Sequence, residues 1–475
     1  MDPLRYGVAT SAFQIEGATG ADGRGQSIWD EFCTRPGVVL DGSDGTVACD
    51  SYHRGEQDLA LLVELGVTSY RFSIAWPRVQ PTGSGAVNPA GLDHYARLVD
   101  RLLEAGIQPL PTLYHWDLPQ PLEDLGGWPA RDTAHRFADY SGLVVDRLAD
   151  RVGVWATHNE PWCSAFLGYA AGVFAPGRRE PQNAYLAAHH LLLSHALAAE
   201  RVRAHHANAE VGIVLNLAPV HAEPDADPAA VDAVDVIQNR LWLDALTVGR
   251  YPDLVPLPRT DELADDLARI AGSADWLGVN YYTPFRIGRP GDAVDQDGDA
   301  VVQNADAVGQ DADAVGQDAD AVGQDVDAVG QDVDAYPGAP EFSFRPRPPY
   351  TAMGWEVDAS GLEQVLLRVA EAAPGTPLRV TENGASFPDA TLAPDGSVLD
   401  EDRISYLRDH LAAVERARSA GSPVLDYLAW SLLDNFEWAQ GYTQTFGLVT
   451  VEPGSLRRVP KASFAWFAEH VRSHR

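Results

Sequence analysis

Eight short runs of apolar and β-branched residues punctuate the chain, and the stretches between them carry apolar residues at helical spacing. The runs are Tyr6–Ala9, Ser69–Ile74, Gln108–Tyr114, Val154–His158, Val211–Asn216, Trp276–Tyr281, Leu378–Thr381 and Val424–Trp430. The intervening amphipathic stretches include Gln57–Leu65, Leu92–Leu103, Ala134–Leu148, Ala184–Arg203 and Ile404–Arg418. Strands that alternate with helices indicate a parallel sheet. Closing eight of them on themselves leaves no open edge, so the expected fold class is α/β, a (β/α)8 TIM barrel. A doubly wound open sheet is the runner-up, but no GxGxxG follows the first run. At ~150 residues per domain the length of 475 would suggest about three domains, yet single barrels run to ~250 residues and well beyond. We read 1–475 as one domain.

One tract stands outside this pattern. Val308-Gly309-Gln310-Asp311-Ala312-Asp313-Ala314 recurs, as VGQDADA or VGQDVDA, from Val315, Val322 and Val329, after a degenerate copy, VVQNADA, at Val301. The repeat, 301–335, falls between the sixth and seventh strands. Glycine and two aspartates per unit make a poor helix, and Val and Ala bury too little to support a coiled coil. Acidic Gly-Asp repeats that bind calcium in β-rolls have a period of nine, not seven. Low hydrophobicity and uniform charge make a solvated, disordered insertion the expected state. Gating of the entrance, or calcium binding through the Asp ladder, is the functional alternative.

The net charge of −33 disfavours nucleic acid and anionic membrane as partners, because phosphate recognition rests on Lys and Arg. The acidity is partly local, since residues 291–335 hold 13 Asp and no Lys, Arg or Glu. Lys461 is the chain's one lysine. No stretch approaches the ~18 apolar residues of a membrane span. The first residues have neither a basic start nor an apolar segment, so no secretory signal is visible. Cys33, Cys49 and Cys163 are odd in number and widely spaced, which argues against a disulfide framework and against a CxxC metal site. A soluble, cytoplasmic protein is expected.

In a barrel of this kind the chemistry sits where strands end at their C-terminal face. Here the ends are polar and aromatic. The first strand runs into Gln14-Ile15-Glu16-Gly17, the second contains Arg71, and the third ends at His115-Trp116-Asp117. The fourth ends at His158-Asn159-Glu160-Pro161, the sixth at Asn280-Tyr281-Tyr282, the seventh at Glu382-Asn383-Gly384, and the eighth at Trp430 with Glu437-Trp438 shortly after. One such residue could be a cap or a satisfied core group. Seven converging ends describe a site, because unpaired buried polar groups cost ~1–3 kcal/mol each. Two carboxylates (Glu160, Glu382), neutral hydrogen-bonding groups (Gln14, Asn159, Asn280, His115) and flat aromatic faces (Trp116, Trp430, Trp438) suit a polyhydroxylated ring. Two carboxylates flanking one bond are what glycoside hydrolysis needs. With no His-x-His after the first strand and no Cys/His cluster, no metal and no other cofactor is expected. His189, His190 and His195 on one helix read as surface or packing residues.

At these residues the chain closely resembles the glycoside hydrolase family 1 β-glucosidases. The resemblance rests on Thr10-Ser11-Ala12-Phe13-Gln14-Ile15-Glu16-Gly17, Tyr70-Arg71-Phe72-Ser73-Ile74-Ala75-Trp76-Pro77-Arg78, His115-Trp116-Asp117-Leu118-Pro119 and Thr157-His158-Asn159-Glu160-Pro161 in the first half. Asn280-Tyr281-Tyr282, Thr381-Glu382-Asn383-Gly384 and Trp430-Ser431-Leu432-Leu433-Asp434-Asn435-Phe436-Glu437-Trp438 carry it to the end. It implies retaining chemistry on a (β/α)8 fold, with Glu160 as general acid/base and Glu382 as nucleophile. It implies that Arg71, Tyr282 and Asn280 support the nucleophile. Gln14, His115, Trp116, Asn159, Glu437, Trp438 and Phe446 would bind substrate, Trp430 would be the stacking floor, and Trp355 would flank the leaving-group side. The expected partners are small β-glucosides or short oligosaccharides, as in cellulose degradation; the oligomeric state is left open. Thr445 departs from the family, which usually has Arg before Phe-Gly-Leu, and a lost loop ion pair near Glu437 is the expected result.

Three readings compete. The first is an exo-acting β-glucosidase, with preference for β-galactosides or β-fucosides as its variant. A 6-phosphoglycosidase is disfavoured, since Glu437 would meet the dianion and no lysine lies nearby. A non-catalytic sugar-binding barrel would be expected to have lost Glu160 or Glu382.

Overall fold

The computed structural model describes residues 3–290, 331–389, 391–393 and 396–474. Eight strands close a parallel barrel: β1 (Arg5–Ala9), β2 (Ser69–Ser73), β3 (Gln108–Tyr114), β4 (Val154–Asn159), β5 (Glu210–Asn216), β6 (Trp276–Asn280), β7 (Leu378–Asn383) and β8 (Val424–Trp430). Each pairs with its sequence neighbours, and β1 closes on β8 with Arg5 opposite Asp426 and Ala9 opposite Trp430. The expected strands match these within two residues at each end. They were visible as near-continuous apolar runs because barrel strands are covered on both faces; every residue of β2, β4 and β7 is buried.

Helices follow the strands in turn: Ser51–Leu65, Pro89–Glu104, Arg131–Leu148, Pro181–His205, then Pro228–Asp235, Leu241–Val248 and Asp261–Ile270, Ala359–Ala372, Glu401–Ser419 and Ala462–Ser473. Their apolar stripes form one core with the outer faces of the strands, while Leu110, Val154, Ala156, Val214 and Trp276 make a smaller cluster from β3 to β6. At the N-terminal ends of the strands Arg379 of β7 contacts Asp426 of β8 and, at 2.8 Å, Glu210 of β5, and Arg5 reaches Asp426 at 2.7 Å. That charged plug closes the face opposite the site.

Sequence periodicity did not reveal the small elements. A three-stranded sheet joins Val220–Ala222, Phe285–Gly288 and Ser343–Phe344 beside the barrel mouth, and a hairpin joins Val449–Val451 to Arg458–Pro460. Strands of two to four residues are too short to show an alternation. Most of the repeat, 301–330, lies outside the described residues. Its last five residues, 331–335, are described: Ala335 is fully buried and Gln331 nearly so, while Val333 and Asp334 between them are exposed. The expected unstructured tract does not extend to them, because Tyr336 anchors their end among Trp162, Phe285, Phe342 and Phe344.

Lys461 is also buried. Its Nζ lies 2.6 Å from Asp389 and 2.8 Å from Asp434, which fastens the loop after β8 to the body of the barrel. Among the described residues no helix is long and apolar enough to cross a membrane.

Candidate active site

The strand ends project their side chains into one cavity, which holds about 780 Å³ including its open mouth. Local irregularities aim them there. The β4–β5 register shifts between Ala156 and Asn159, and the β6–β7 register between Val380 and Glu382; such bulges redirect side chains at barrel rims. Glu160, Trp116 and Trp438 adopt left-handed backbone conformations, with φ of 42°, 74° and 50°. Strain of this kind in non-glycine residues gathers at functional sites and persists only where the surroundings enforce it. Gly384 is needed for a different reason: a Cβ there would lie 1.8 Å from the Trp430 carbonyl oxygen, so only glycine lets β7 end this close to β8.

The two carboxylates share one hydrogen-bond network. Arg71 donates from Nη1 to Glu382 Oε1 at 2.5 Å, from Nη2 to Asn159 Oδ1 at 2.7 Å and from Nε to Thr112 Oγ1 at 3.0 Å. Tyr282 donates its hydroxyl to the other oxygen of Glu382 at 2.6 Å. Asn280 Nδ2 donates to Glu160 Oε1 at 2.6 Å and to Asn159 Oδ1 at 3.0 Å, while its own Oδ1 accepts from Thr381. Glu160 Oε2 accepts from the thiol of Cys163 at 3.2 Å. These contacts set the protonation states. Burial pushes Glu160 up to about 8 and the charge of Glu382 adds to this, with Asn280, Cys163 and Arg71 pulling the other way. Burial also raises Glu382, but the guanidinium of Arg71 and the hydroxyl of Tyr282 act directly on its carboxylate. Glu382 is therefore the group that ionises first and Glu160 the one that keeps its proton.

An aromatic wall completes one side. The rings of His115 and Trp430 stack 6.0 Å apart, those of His115 and Trp438 at 5.9 Å, and Trp116 leans on Trp438 at 4.5 Å. Burial and Arg71 hold His115 neutral. Its Nε2 accepts from Asn159 at 3.0 Å, so the proton sits on Nδ1, which is buried and has no protein partner among the described residues. Glu437 presents to the same space an Oε2 with no partner among the described residues, and burial together with Glu382 and Glu160 raises it to about 8. Donors and acceptors left open in a cavity are what a ligand's hydroxyls would occupy. Tyr282, Trp355 and Phe446 pack together across the mouth, 5.4–6.2 Å apart.

The chain matches the family described as Glycosyl hydrolase family 1 over residues 2–475. It belongs to that family. It is 44% identical to the bifunctional β-D-glucosidase/β-D-fucosidase of Bifidobacterium breve, over 99% of this chain and 97% of that one. It is 42% identical to thermostable β-glucosidase B of Thermobispora bispora, covering 99% and 90%. The β-glucosidase of Thermotoga maritima in complex with glucoimidazole superposes with a TM-score of 0.86 at 38% identity, over 100% of this chain and 99% of that one.

Within this family 1 hydrolase the expected site residues come together, with two distinctions. Gln14 and Arg71 are fully buried and stand behind the lining. Both ends of the Gln14 amide are engaged, Oε1 by Ser11 and Nε2 by Asn435 and the Phe436 carbonyl. Trp162, Cys163, Asn216, Gln238, Thr283, Phe285 and Gln331 also line the cavity, and sequence reasoning passed over them. Asn216 could have been found, since it ends β5 and the strand-end rule was applied to the other seven strands. Cys163 lies one short turn after Glu160, in a π-helix, Cys163–Ala171, and π-helices frequently occur at functional sites.

His189, His190 and His195 are packing residues, bonded to Tyr251 and Asp266, to the Trp128 carbonyl and to Thr157. Thr445 ties its loop to Phe387 and Ser386 through its hydroxyl and amide, and Arg403 donates to its carbonyl. Among the described residues no group of His, Cys, Asp and Glu could hold a metal ion.

Proposed function

We propose that the chain is a retaining exo-β-glucosidase, one catalytic domain over 1–475 with the repeat 301–335 inserted in it. The observation that supports this best is the unequal treatment of two carboxylates in one network. Glu382, held by Arg71 and Tyr282, is the nucleophile; Glu160, kept protonated, is the acid. In the first step Glu160 gives its proton to the leaving oxygen while Glu382 attacks the anomeric carbon, forming a glycosyl ester. The ester removes the negative charge that had raised Glu160. Its acidity returns, and it can take a proton from the water that hydrolyses the ester. Asn280, Asn159 and Arg71 hold both groups in place through the cycle. His115, Glu437 and Trp438 receive the hydroxyls of the non-reducing sugar, Gln14 backs them, and Trp430 is its floor. Trp116 and Phe446 flank the sugar, and Trp355 borders the leaving group.

The relatives' names support glucosides as substrates, with β-fucosides as the variant suggested by the Bifidobacterium protein, and the 1,4-β-D-glucan glucohydrolase of Thermotoga neapolitana, 38% identical, supports a role in cellulose degradation. The three free cysteines suit a reducing, cytoplasmic compartment. Proton NMR of a fresh digest tests the mechanism. β-Glucose should appear first and α-glucose only by mutarotation, because two displacements retain configuration. Early α-glucose would show an inverting enzyme.

The pH profile gives a second test. kcat/KM requires Glu382 ionised and Glu160 protonated, so activity should rise with pH as Glu382 loses its proton and fall on the alkaline side as Glu160 loses its own. Cys163→Ala removes a hydrogen bond donated to the Glu160 carboxylate, a bond that favours the charged form. The alkaline limb should move to higher pH while the acid limb stays in place. A shift to lower pH would mean that the thiol does not act as the donor.

A further inference from the structure

The cavity has two walls, and the carboxylates lie between them. One wall is the stack of His115, Trp116, Trp430 and Trp438. The other carries Trp162, Cys163, Asn216, Phe285 and Gln331. Glu160 is hydrogen-bonded to Cys163 on this second wall. If Glu160 protonates the leaving oxygen, the leaving group must lie along the second wall.

Gln331 is the glutamine of the last repeat copy, Val329–Ala335, so the insertion itself contributes to the lining. The placement is built. Asp332 caps a short turn, Val333–Ala335, through a 2.8 Å bond from the Asp334 amide to its Oδ1. Tyr336 follows, 2% exposed, with its hydroxyl on Gln238 Oε1 at 2.8 Å, and Gln238 in turn donates to the Asn216 carbonyl at 2.9 Å. Gln331 itself is 8% exposed, and among the described residues no hydrogen bond engages its amide. Its donor and acceptor face the cavity, where water satisfies them in the empty site and a ligand hydroxyl can take that water's place. Gln238, by contrast, is held at both ends of its amide, by the Asn216 carbonyl and the Tyr336 hydroxyl.

We propose that Gln331 is a specificity-determining residue that hydrogen-bonds a hydroxyl of the leaving group and biases the enzyme toward hydroxylated leaving groups, a second sugar above all. This rests on the β-glucosidase reading. Aryl and alkyl leaving groups have no hydroxyl to offer and gain only the apolar contacts of Trp162, Phe285 and Trp355.

The test is kcat/KM of the wild type and of Gln331→Leu on cellobiose, 4-nitrophenyl β-glucoside and n-octyl β-glucoside, with melting temperatures alongside. Gln331→Leu should lower the value for cellobiose about three- to tenfold, the worth of one neutral hydrogen bond. The aryl value should stay within about twofold on the same scale, and the octyl value should be unchanged or raised. Equal losses on all three substrates, no loss on cellobiose, or a wild type that cleaves the aryl glucoside but not cellobiose would overturn the proposal. A wild type that cleaves none of the three would instead overturn the β-glucosidase reading. Should Gln331→Leu fail to fold, Gln331→Ala is read in the same way.

Discussion

Replacing Glu382 with alanine should abolish turnover, by about 10⁶-fold if it follows the loss of other covalent nucleophiles. No other group can substitute for it. Tyr282 and Arg71 touch its two oxygens, but burial and the neighbouring carboxylates raise Tyr282 well above its usual range, and a guanidinium carries no nucleophilic pair. Azide, small and anionic, should enter the vacated space beside Arg71 and restore part of the activity on an activated aryl glucoside. The rescued product should be the α-glucosyl azide, since one inversion replaces two. Isolation of the β-azide, or near-normal turnover of Glu382→Ala without azide, would remove Glu382 from the nucleophile's role.

Glu160→Ala should separate substrates by their leaving groups. Cellobiose leaves as a poor alkoxide and needs the proton, so its kcat/KM should fall ~10²–10⁴-fold. 2,4-Dinitrophenyl β-glucoside needs almost no protonation and should keep most of its kcat/KM. Its kcat should still drop, because breakdown of the glycosyl ester loses its base. Equal losses in kcat/KM on both substrates would reduce Glu160 to a binding residue.

The barrel was legible because its strands are buried on both faces and its helices on one, so that β3, β5 and β8 read as apolar runs and 89–104 as an amphipathic stretch. The carboxylates and the residues around them were legible because they end strands. Other parts were not. Cys163 and Gln238 sit in helical turns, and their register toward the cavity depends on the π-helices Cys163–Ala171 and Val236–Arg240, which insert an extra residue per turn and break the 3.6-residue period. Gln331 was hidden by its own surroundings. It stands in a repeat whose copies are nearly identical in composition, and only the tyrosine that follows the last copy sets its end apart in the sequence.

The burial of Lys461 has a consequence beyond folding. Reducing sugars glycate proteins through exposed lysine amines, and a β-glucosidase accumulates a reducing sugar at its own surface as it works. Here the one ε-amine is sealed between Asp389 and Asp434. The rest of the surface carries its cations as arginine, whose guanidinium is a far weaker nucleophile toward the open-chain aldehyde. Concentrated glucose therefore finds no lysine to brown, and aldehyde cross-linkers or amine-reactive resins find almost nothing to grip.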